Sequence, residues 1–465
     1  MTRIAMIPTA RPTFAVDVAE LRAAAARELL VELGAEVVGP TDLVMTPDAV
    51  EAAADYLGDD VDLVINVCAS FSDATPALRL YGDAAPVLLW AFREPGPVGD
   101  RLWLNSLCGA NLFGHAVVRA GGEVRLLYGD PDESHVRDAL SEALDGRLPA
   151  AADLPAAHRP RASDDTARDA LATLRGQRIG IVGDAPAGFT PSEYDEAMLA
   201  KLLGVEVVAL TTDDAFAKVR KVSDADRTRE LADARRQRPT LDDLDDSQVA
   251  GFAAITSALR DWTADQVLSA LAVRCWPEFP TELGTCPCSS LSRLADAGTP
   301  TACERDVYGT ATMLLLEALG SGPTYLVDTV DLDVRKNIVR VWHCGSAATE
   351  LAADGAPSTQ SVHCNRKIGV VGDFPLRTGP VILARLTEDP NSNGLRLLIA
   401  SGESVPEPNR FQGNSAAVAL DADAENFVNG LVTGGFPHHT VLAWTDVRPQ
   451  LRAAADLIDI PVVEW

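Results

Sequence analysis

R-I-A-M-I at Arg3–Ile7 returns, 175 residues on, as R-I-G-I-V-G at Arg178–Gly183. Each copy puts an apolar run behind one arginine, and each is followed by a segment with helical spacing of its apolar residues. Working outward from the first copy, the spacing predicts a helix over Val16–Leu33, closed by Gly34, with Leu21, Ala24, Ala25, Leu29 and Leu30 on a helix-like period. Strands are expected at Ala35–Val38, Val61–Val67, Ala85–Phe92 and Gly122–Tyr128, with helices at Pro47–Leu57 and Gly109–Ala120 between them. Strands that are apolar along most of their length and alternate with helices indicate a parallel sheet covered on both faces.

The second copy leads into a helix at Tyr194–Leu203 and a strand at Val205–Leu210, a related α/β unit. Leu148–Thr166, rich in Ala, Pro, Asp and Arg, reads as the linker between the two. Ser223–Ser247 reads as a solvated, charged helical excursion, and Gln248–Ala272 as apolar at helical spacing. Past Gly345 the texture changes. Runs such as Lys367–Val371, Gly379–Leu386 and Leu395–Ser404, separated by Gly, Pro and Asn, predict antiparallel strands, followed by a helix at Arg448–Leu457 and a strand at Pro461–Trp465. The expected architecture is α/β: two doubly wound, flavodoxin- or Rossmann-like domains (1–160 and 176–320), then a C-terminal antiparallel β-rich domain (321–465).

Composition narrows the function. At 465 residues the chain exceeds one core, and its 47 % hydrophobic content supplies several. A formal net charge of −27 repels phosphate backbones and argues against nucleic acid. No apolar run is long enough for a membrane span, and the N-terminus M-T-R-I-A-M-I-P reads as a strand rather than a signal peptide, so a cytoplasmic protein is expected. The eight cysteines are expected as free thiols, and C-P-C at Cys286–Cys288 is too short for a zinc knuckle. The turn G-I-V-G-D-A-P-A-G (Gly180–Gly188) lacks dinucleotide and P-loop spacings and implies no nucleotide.

Chemistry concentrates in four motifs: T-A-C-E-R-D-V-Y-G (Thr301–Gly309), Y-L-V-D-T (Tyr325–Thr329), V-W-H-C-G (Val341–Gly345) and G-F-P-H-H-T (Gly435–Thr440). The first reads as a helix opening, with Glu304 in the first turn and Asp306 facing away from it. Asp328 closes an apolar strand, the position that aims at a crevice in α/β folds. His343 fits a core histidine as readily as a ligand. His438 and His439 follow a tight loop, and adjacent side chains usually diverge, so one of the two is expected to bind metal. Oxygen and imidazole ligands suit Mn²⁺, or a related ion such as Mg²⁺ or Co²⁺.

At these motifs the chain resembles the L-fucose isomerase / L-arabinose isomerase family of metal-dependent sugar ketol isomerases. The resemblance implies Glu304 and Asp328 as catalytic carboxylates and metal ligands, His439 as a third ligand, His343 as a possible fourth, and His438 near the substrate. T-A-R-P-T-F (Thr9–Phe14) and R-C-W-P-E-F (Arg274–Phe279) are similar to sugar-contacting segments, implying Arg11 and Trp276 as substrate-binding residues. In that family the arginine reaches a neighbouring subunit's site, which implies a homo-oligomer with active sites at subunit interfaces. The implied reaction interconverts an aldose and a ketose through a metal-bound enediol, with a hydride shift as the other route. An L-fucose- or D-arabinose-like monosaccharide is the first expectation for the substrate. The alternatives are L-arabinose, an anionic 6-substituted hexose such as sulfoquinovose, or sugar binding without catalysis.

Overall fold

The structure is a computed structural model that describes residues 2–82, 86–159 and 164–465. The expected strand from Ala85 and the expected linker therefore each include positions outside the described residues. Strands β1 (Arg3–Thr9), β2 (Glu36–Val38), β3 (Leu63–Cys68), β4 (Val87–Ala91) and β5 (Val124–Tyr128) pair in parallel in the order 2-1-3-4-5. The inner strands β1, β3 and β4 are buried nearly throughout, as their continuous apolar runs require of a sheet covered on both faces, while the edge strands β2 and β5 are partly exposed. Helices Val16–Glu32, Pro47–Ala54 and Ser106–Arg119 lie within two or three residues of the expected ones.

The second unit repeats this topology. β6 (Arg178–Val182), β7 (Glu206–Leu210), β8 (Ala270–Val273) and β9 (Thr301–Ala302) run parallel in the order 7-6-8-9, the same order with one strand fewer. β8 is a correction to the sequence reading. The helix ends at Asp265, and Ala270–Val273 is the buried central strand; an apolar run of four has no periodicity to separate strand from helix. The charged segment 223–247 is also not simply solvated. Glu230 and Arg238 are buried, Glu230 ion-paired with Arg293 at 2.9 Å and Arg238 with Asp296 at 2.9 Å.

The C-terminal part is a mixed sheet of eight strands. They are β10 (Tyr325–Asp333) and β11 (Ile338–His343), then, after the two-stranded ribbon of β12 (Gln360–Ser361) and β13 (Val371–Gly372), β14 (Phe374–Pro375), β15 (Gly379–Glu388), β16 (Leu395–Val405), β17 (Asn414–Leu420), β18 (His439–Ala443) and β19 (Val462–Glu464). The antiparallel pairings β17-β11-β10-β18-β15-β16 return to β17, so six strands close into a barrel. The expected antiparallel texture is present, but β14 on β17 and β19 on β16 are parallel additions.

Two helices lock the barrel to the rest. Helix Val307–Ala318 shares a buried core with β15 and β18. Helix Ser106–Arg119 lies so close to helix Ala424–Thr433 that a Cβ at Gly114 would meet the Val432 carbonyl oxygen at 2.4 Å. The Asn111 amide donates from the same helix to the carbonyls of Leu431 (3.2 Å) and Phe436 (2.8 Å), fixing the loop that carries His438.

Candidate metal centre and sugar site

In open α/β sheets ligands bind beyond the carboxyl ends of the strands. Both parallel sheets obey this and converge on one place. β1 delivers Arg11, β8 delivers Cys275 and Trp276, and β9 delivers Glu304, while the barrel contributes Asp328 from β10, His343 from β11 and His439 from β18. The Arg11 guanidinium carbon stands 4.1 Å from the centre of the Trp276 ring of its own chain, and the indole N–H donates to Glu304 Oε1 at 3.2 Å.

Glu304 is not in a helix. It lies in a tight turn with φ +59°, followed by Arg305 also at φ +59°, and the helix begins only at Val307. Two adjacent residues in the left-handed region are costly, and such backbone persists only where its surroundings fix it. Here the Cys275 thiol accepts from the Glu304 N–H at 3.4 Å, and the Ser192 hydroxyl donates to its carbonyl at 2.6 Å. The helix-dipole argument for Glu304 therefore fails, and so does the expectation that Asp306 faces away. Asp306 caps the helix by accepting from the Gly309 N–H at 2.8 Å, and its carboxylate is fully buried inside the site.

Asp328 sits within β10 rather than at its end, directly across the ladder from His439. Asp328 Oδ1 and Glu304 Oε2 approach His439 Nε2, at 3.3 and 3.4 Å. His439 Nδ1–H donates to Asp306 Oδ2 at 2.8 Å, because an ionised carboxylate can only accept. Asp306 is held in turn by the buried Arg385, whose Nη2 lies 2.8 Å from Oδ1. No side chain fits at Gly309, where a Cβ would stand 2.8 Å from both Arg385 Nη1 and the Asp306 carboxyl carbon.

Electrostatics follow this geometry. Burial raises the Asp306 carboxyl, but the Arg385 charge and the His439 hydrogen bond outweigh it and hold it far below the usual range. Glu304 is raised by burial and lowered further by the His438 hydrogen bond and the neighbouring imidazoles, with a net fall. His439 is desolvated, yet Asp306, Asp328 and Glu304 raise it overall. Burial lowers His438 and keeps it neutral.

The two adjacent histidines do not diverge as expected. Their rings lie 4.0 Å apart, and His438 Nε2 donates to Glu304 Oε2 at 3.4 Å. What distinguishes them is the other nitrogen: Asp306 fixes that of His439, whereas that of His438 has no partner among the described residues. His343 Nδ1 accepts the Cys344 N–H at 3.0 Å, and His343 offers a ring nitrogen within 4.8 Å of ligand atoms of Asp328 and His439, a group that could hold a cation. Phe71 and Phe189 flank His438 with ring centroids at 6.2 and 5.9 Å, and Phe189 packs edge-on against Trp276 at 4.9 Å, giving the site an apolar wall.

The donor set fits a hard-to-borderline divalent cation. Asp328 Oδ1 and His439 Nε2 are buried and have no hydrogen-bond partner among the described residues, although they face each other and the imidazole nitrogen also faces Glu304. Orphaned buried polar atoms are rare and call for an explanation, and a shared cation supplies one. Sequence reading brought Glu304, Asp328, His439, His438, Arg11 and Trp276 to this place and missed Asp306, Arg385 and the Phe71–Phe189 wall.

No family model matches the chain. Curated relatives do. The chain is 33 % identical, across all of its length and 99 % of the relative's, to a sulfoquinovose isomerase of Alkalicoccus urumqiensis. It is 31 % identical to the sulfoquinovose isomerase of Priestia megaterium, with 99 % of this chain and 98 % of that protein aligned. A sulfoquinovose isomerase of a Clostridium species is 30 % identical over 98 % of this chain and 97 % of its own length.

Proposed function

The chain belongs to the sulfoquinovose isomerase family and is therefore an aldose–ketose isomerase, and from that premise we propose that it converts the 6-sulfonated aldohexose sulfoquinovose to its 2-ketose at the site built around Glu304, Asp328 and His439. The relatives' names favour the anionic 6-substituted hexose over an L-fucose- or D-arabinose-like sugar, which was the first expectation from the motifs.

The carrying observation is the pair of buried, unsatisfied atoms Asp328 Oδ1 and His439 Nε2, 3.3 Å apart, with Glu304 Oε2 3.4 Å from the same imidazole nitrogen. Glu304, Asp328 and His439 would hold a divalent cation such as Mn²⁺, Mg²⁺ or Co²⁺, which when bound supplies Lewis-acid polarisation of the oxygens on C1 and C2. The chain's own groups do the remaining work. One carboxylate takes the proton from C2 and returns it at C1, and the other moves the hydroxyl proton from O2 to O1, so aldose and ketose remain isomers. Glu304, whose carboxyl is held below its ordinary range by His438 and the neighbouring imidazoles, is ionised and therefore free to accept a proton. His438 donates to Glu304 and keeps its carboxylate aimed. Phe71, Phe189 and Trp276 give the site an apolar wall against which the carbon chain of the sugar packs. Arg11 lies at its own chain's Trp276.

The test is incubation of the purified protein with sulfoquinovose and Mn²⁺ in D₂O, followed by NMR. Ketose carrying deuterium at C1 is expected. Ketose with no deuterium would replace the enediol by a hydride shift, and no ketose at all would overturn the substrate assignment.

A further inference from the structure

We infer that Arg11 and Arg366, sharing the Trp276 indole, form a two-cation seat for the anionic group on C6 of the substrate. The inference rests on the reading above that the substrate is a 6-sulfonated sugar. Most of the described arginines pair with a carboxylate, as Arg385 does with Asp306 and Arg293 with Glu230; others, such as Arg396, which donates to the carbonyls of Gly434 and Gly435, lack one. Arg11 and Arg366 lack one too. Among the described residues neither guanidinium has a carboxylate oxygen within ion-pair distance, and both stand over Trp276, at 4.1 and 6.0 Å from the ring centre.

Two uncompensated cations facing one ring repel each other. Burial lowers Arg11 in pKa; Asp73 and Glu304 raise it, while Arg366 lowers it further. Asp73, the carboxylate that acts most strongly on Arg11, accepts from the Thr75 N–H at 3.0 Å. An anion between the two guanidiniums removes the repulsion, and a sulfonate presents three oxygens to their planar donor forks. The indole that carries the pair also donates to Glu304, so the seat lies one side chain from the reacting centre. A six-carbon chain running along the indole therefore has its carbonyl end at the triad and its substituted end at the arginines.

The loop that presents Arg366 is built to hold still. His363 Nδ1 accepts the backbone N–H groups of Asn365 (3.2 Å) and Arg366 (3.3 Å), and the Lys367 N–H returns to the His363 carbonyl at 2.8 Å. Burial drops His363 to about 3, so its ring stays a neutral acceptor at working pH. Arg101 ties the tip to the N-terminal unit, donating to Asn365 Oδ1 at 3.3 Å and to the Thr13 carbonyl at 3.1 Å, two residues from Arg11. The two cations are thus placed by one bonded network before any anion arrives, which reduces the ordering cost of binding.

The experiment compares kcat/KM for sulfoquinovose and for its uncharged 6-deoxy counterpart in the natural enzyme, Arg366→Gln and Arg11→Gln. Removing a charged hydrogen-bonding partner should lower the ratio of sulfonate to 6-deoxy substrate about 10- to 100-fold in each variant. Methanesulfonate should compete with sulfoquinovose in the natural enzyme and lose that competition in the variants. An unchanged substrate ratio in Arg366→Gln overturns the seat. If the natural enzyme turns over neither sugar, the isomerase substrate reading falls while methanesulfonate binding by calorimetry still decides the seat: binding lost in Arg366→Gln supports it, and no binding to the natural enzyme overturns it. A glucose 6-phosphate arm separates the two anion sources; a preference for it keeps the seat and removes the sulfonate.

Discussion

Replacing Asp306 by Asn tests the reading that a carboxylate behind the ligand sets up the site. Its two oxygens accept from Gly309 N–H, both Arg385 terminal nitrogens and His439 Nδ1–H. Asn offers one acceptor and one donor end. If its NH₂ turns toward Arg385, two donors collide; if it turns toward His439, the imidazole must give up its Nδ1 proton and swap tautomers. Either way the fully buried Arg385 loses its countercharge. Breaking a buried ion pair by removing one partner costs about 3–5 kcal/mol, which corresponds to a fall in Tm of about 10 °C for a cooperative unit of about 150–250 residues and about 4 °C if the whole chain unfolds as one. Loss of the carboxylate that orients a metal-ligating histidine typically costs about 10- to 100-fold in metal affinity or activity. The assay is thermal unfolding together with kcat/KM over a Mn²⁺ titration. Asp306→Asn/Arg385→Met removes the stranded charge and should regain most of the lost stability while leaving Mn²⁺ affinity low. Asp306→Asn with near-natural stability and kcat/KM would refute the argument outright. Full activity in the double variant would show that Asp306 only neutralises Arg385 and does not orient His439.

Glu304→Gln should lower kcat about 10²- to 10⁴-fold with little change in Tm, since its carboxylate is aimed at the site rather than into the core; near-full turnover would remove Glu304 from the reaction. Dialysis against EDTA should abolish turnover, and Mn²⁺ at about 100 times its Kd should restore it and add about 2.7 kcal/mol of stability; activity that survives chelation would reject the cation. Glu317, which accepts from the Thr324 N–H and hydroxyl, is raised by burial to about 7 from an ordinary 4.5. Between those pH values the folded state binds the extra proton, so stability falls as pH rises through the window, by a ceiling of about 3 kcal/mol. Glu317→Gln should abolish that slope, and identical pH–stability curves for the two proteins would disprove the cause.

What the sequence disclosed, and what it hid, follows from the range of the interactions involved. The first parallel sheet was legible because long apolar strands and amphipathic helices announce themselves locally, down to the return of Arg3–Ile7 as Arg178–Gly183. β8 was not, since four apolar residues after a helix look like its last turn. Closure of the barrel was invisible because β17 pairs with β11 and β16 through contacts that no local pattern encodes. Glu304 and Asp306 show the same limit on a smaller scale. Helical logic separates residues two apart onto different faces, but left-handed backbone at Glu304 and Arg305 turns both carboxylates toward His439.

The site residues divide along this line. Glu304, Asp328 and the two histidines were found because each is a chemically unusual residue beside an apolar or Gly-rich segment, where packing alone does not explain it. Arg366 carries no such mark: it is one of many arginines, in a stretch with no regular structure. Only its surroundings single it out. In a strongly acidic protein most guanidiniums are neutralised by carboxylates, and among those that are not, Arg11 and Arg366 stand out because they share one ring. Two such arginines on one indole, an indole hydrogen-bonded to the reacting carboxylate, connect the anionic end of a substrate to its carbonyl end. The same pair accounts for why motifs shared with isomerases of uncharged sugars do not settle the substrate. Those motifs fix the chemistry at C1 and C2, whereas the distal end of the sugar is read by a loop, Cys364–Lys367, that the chemistry does not constrain.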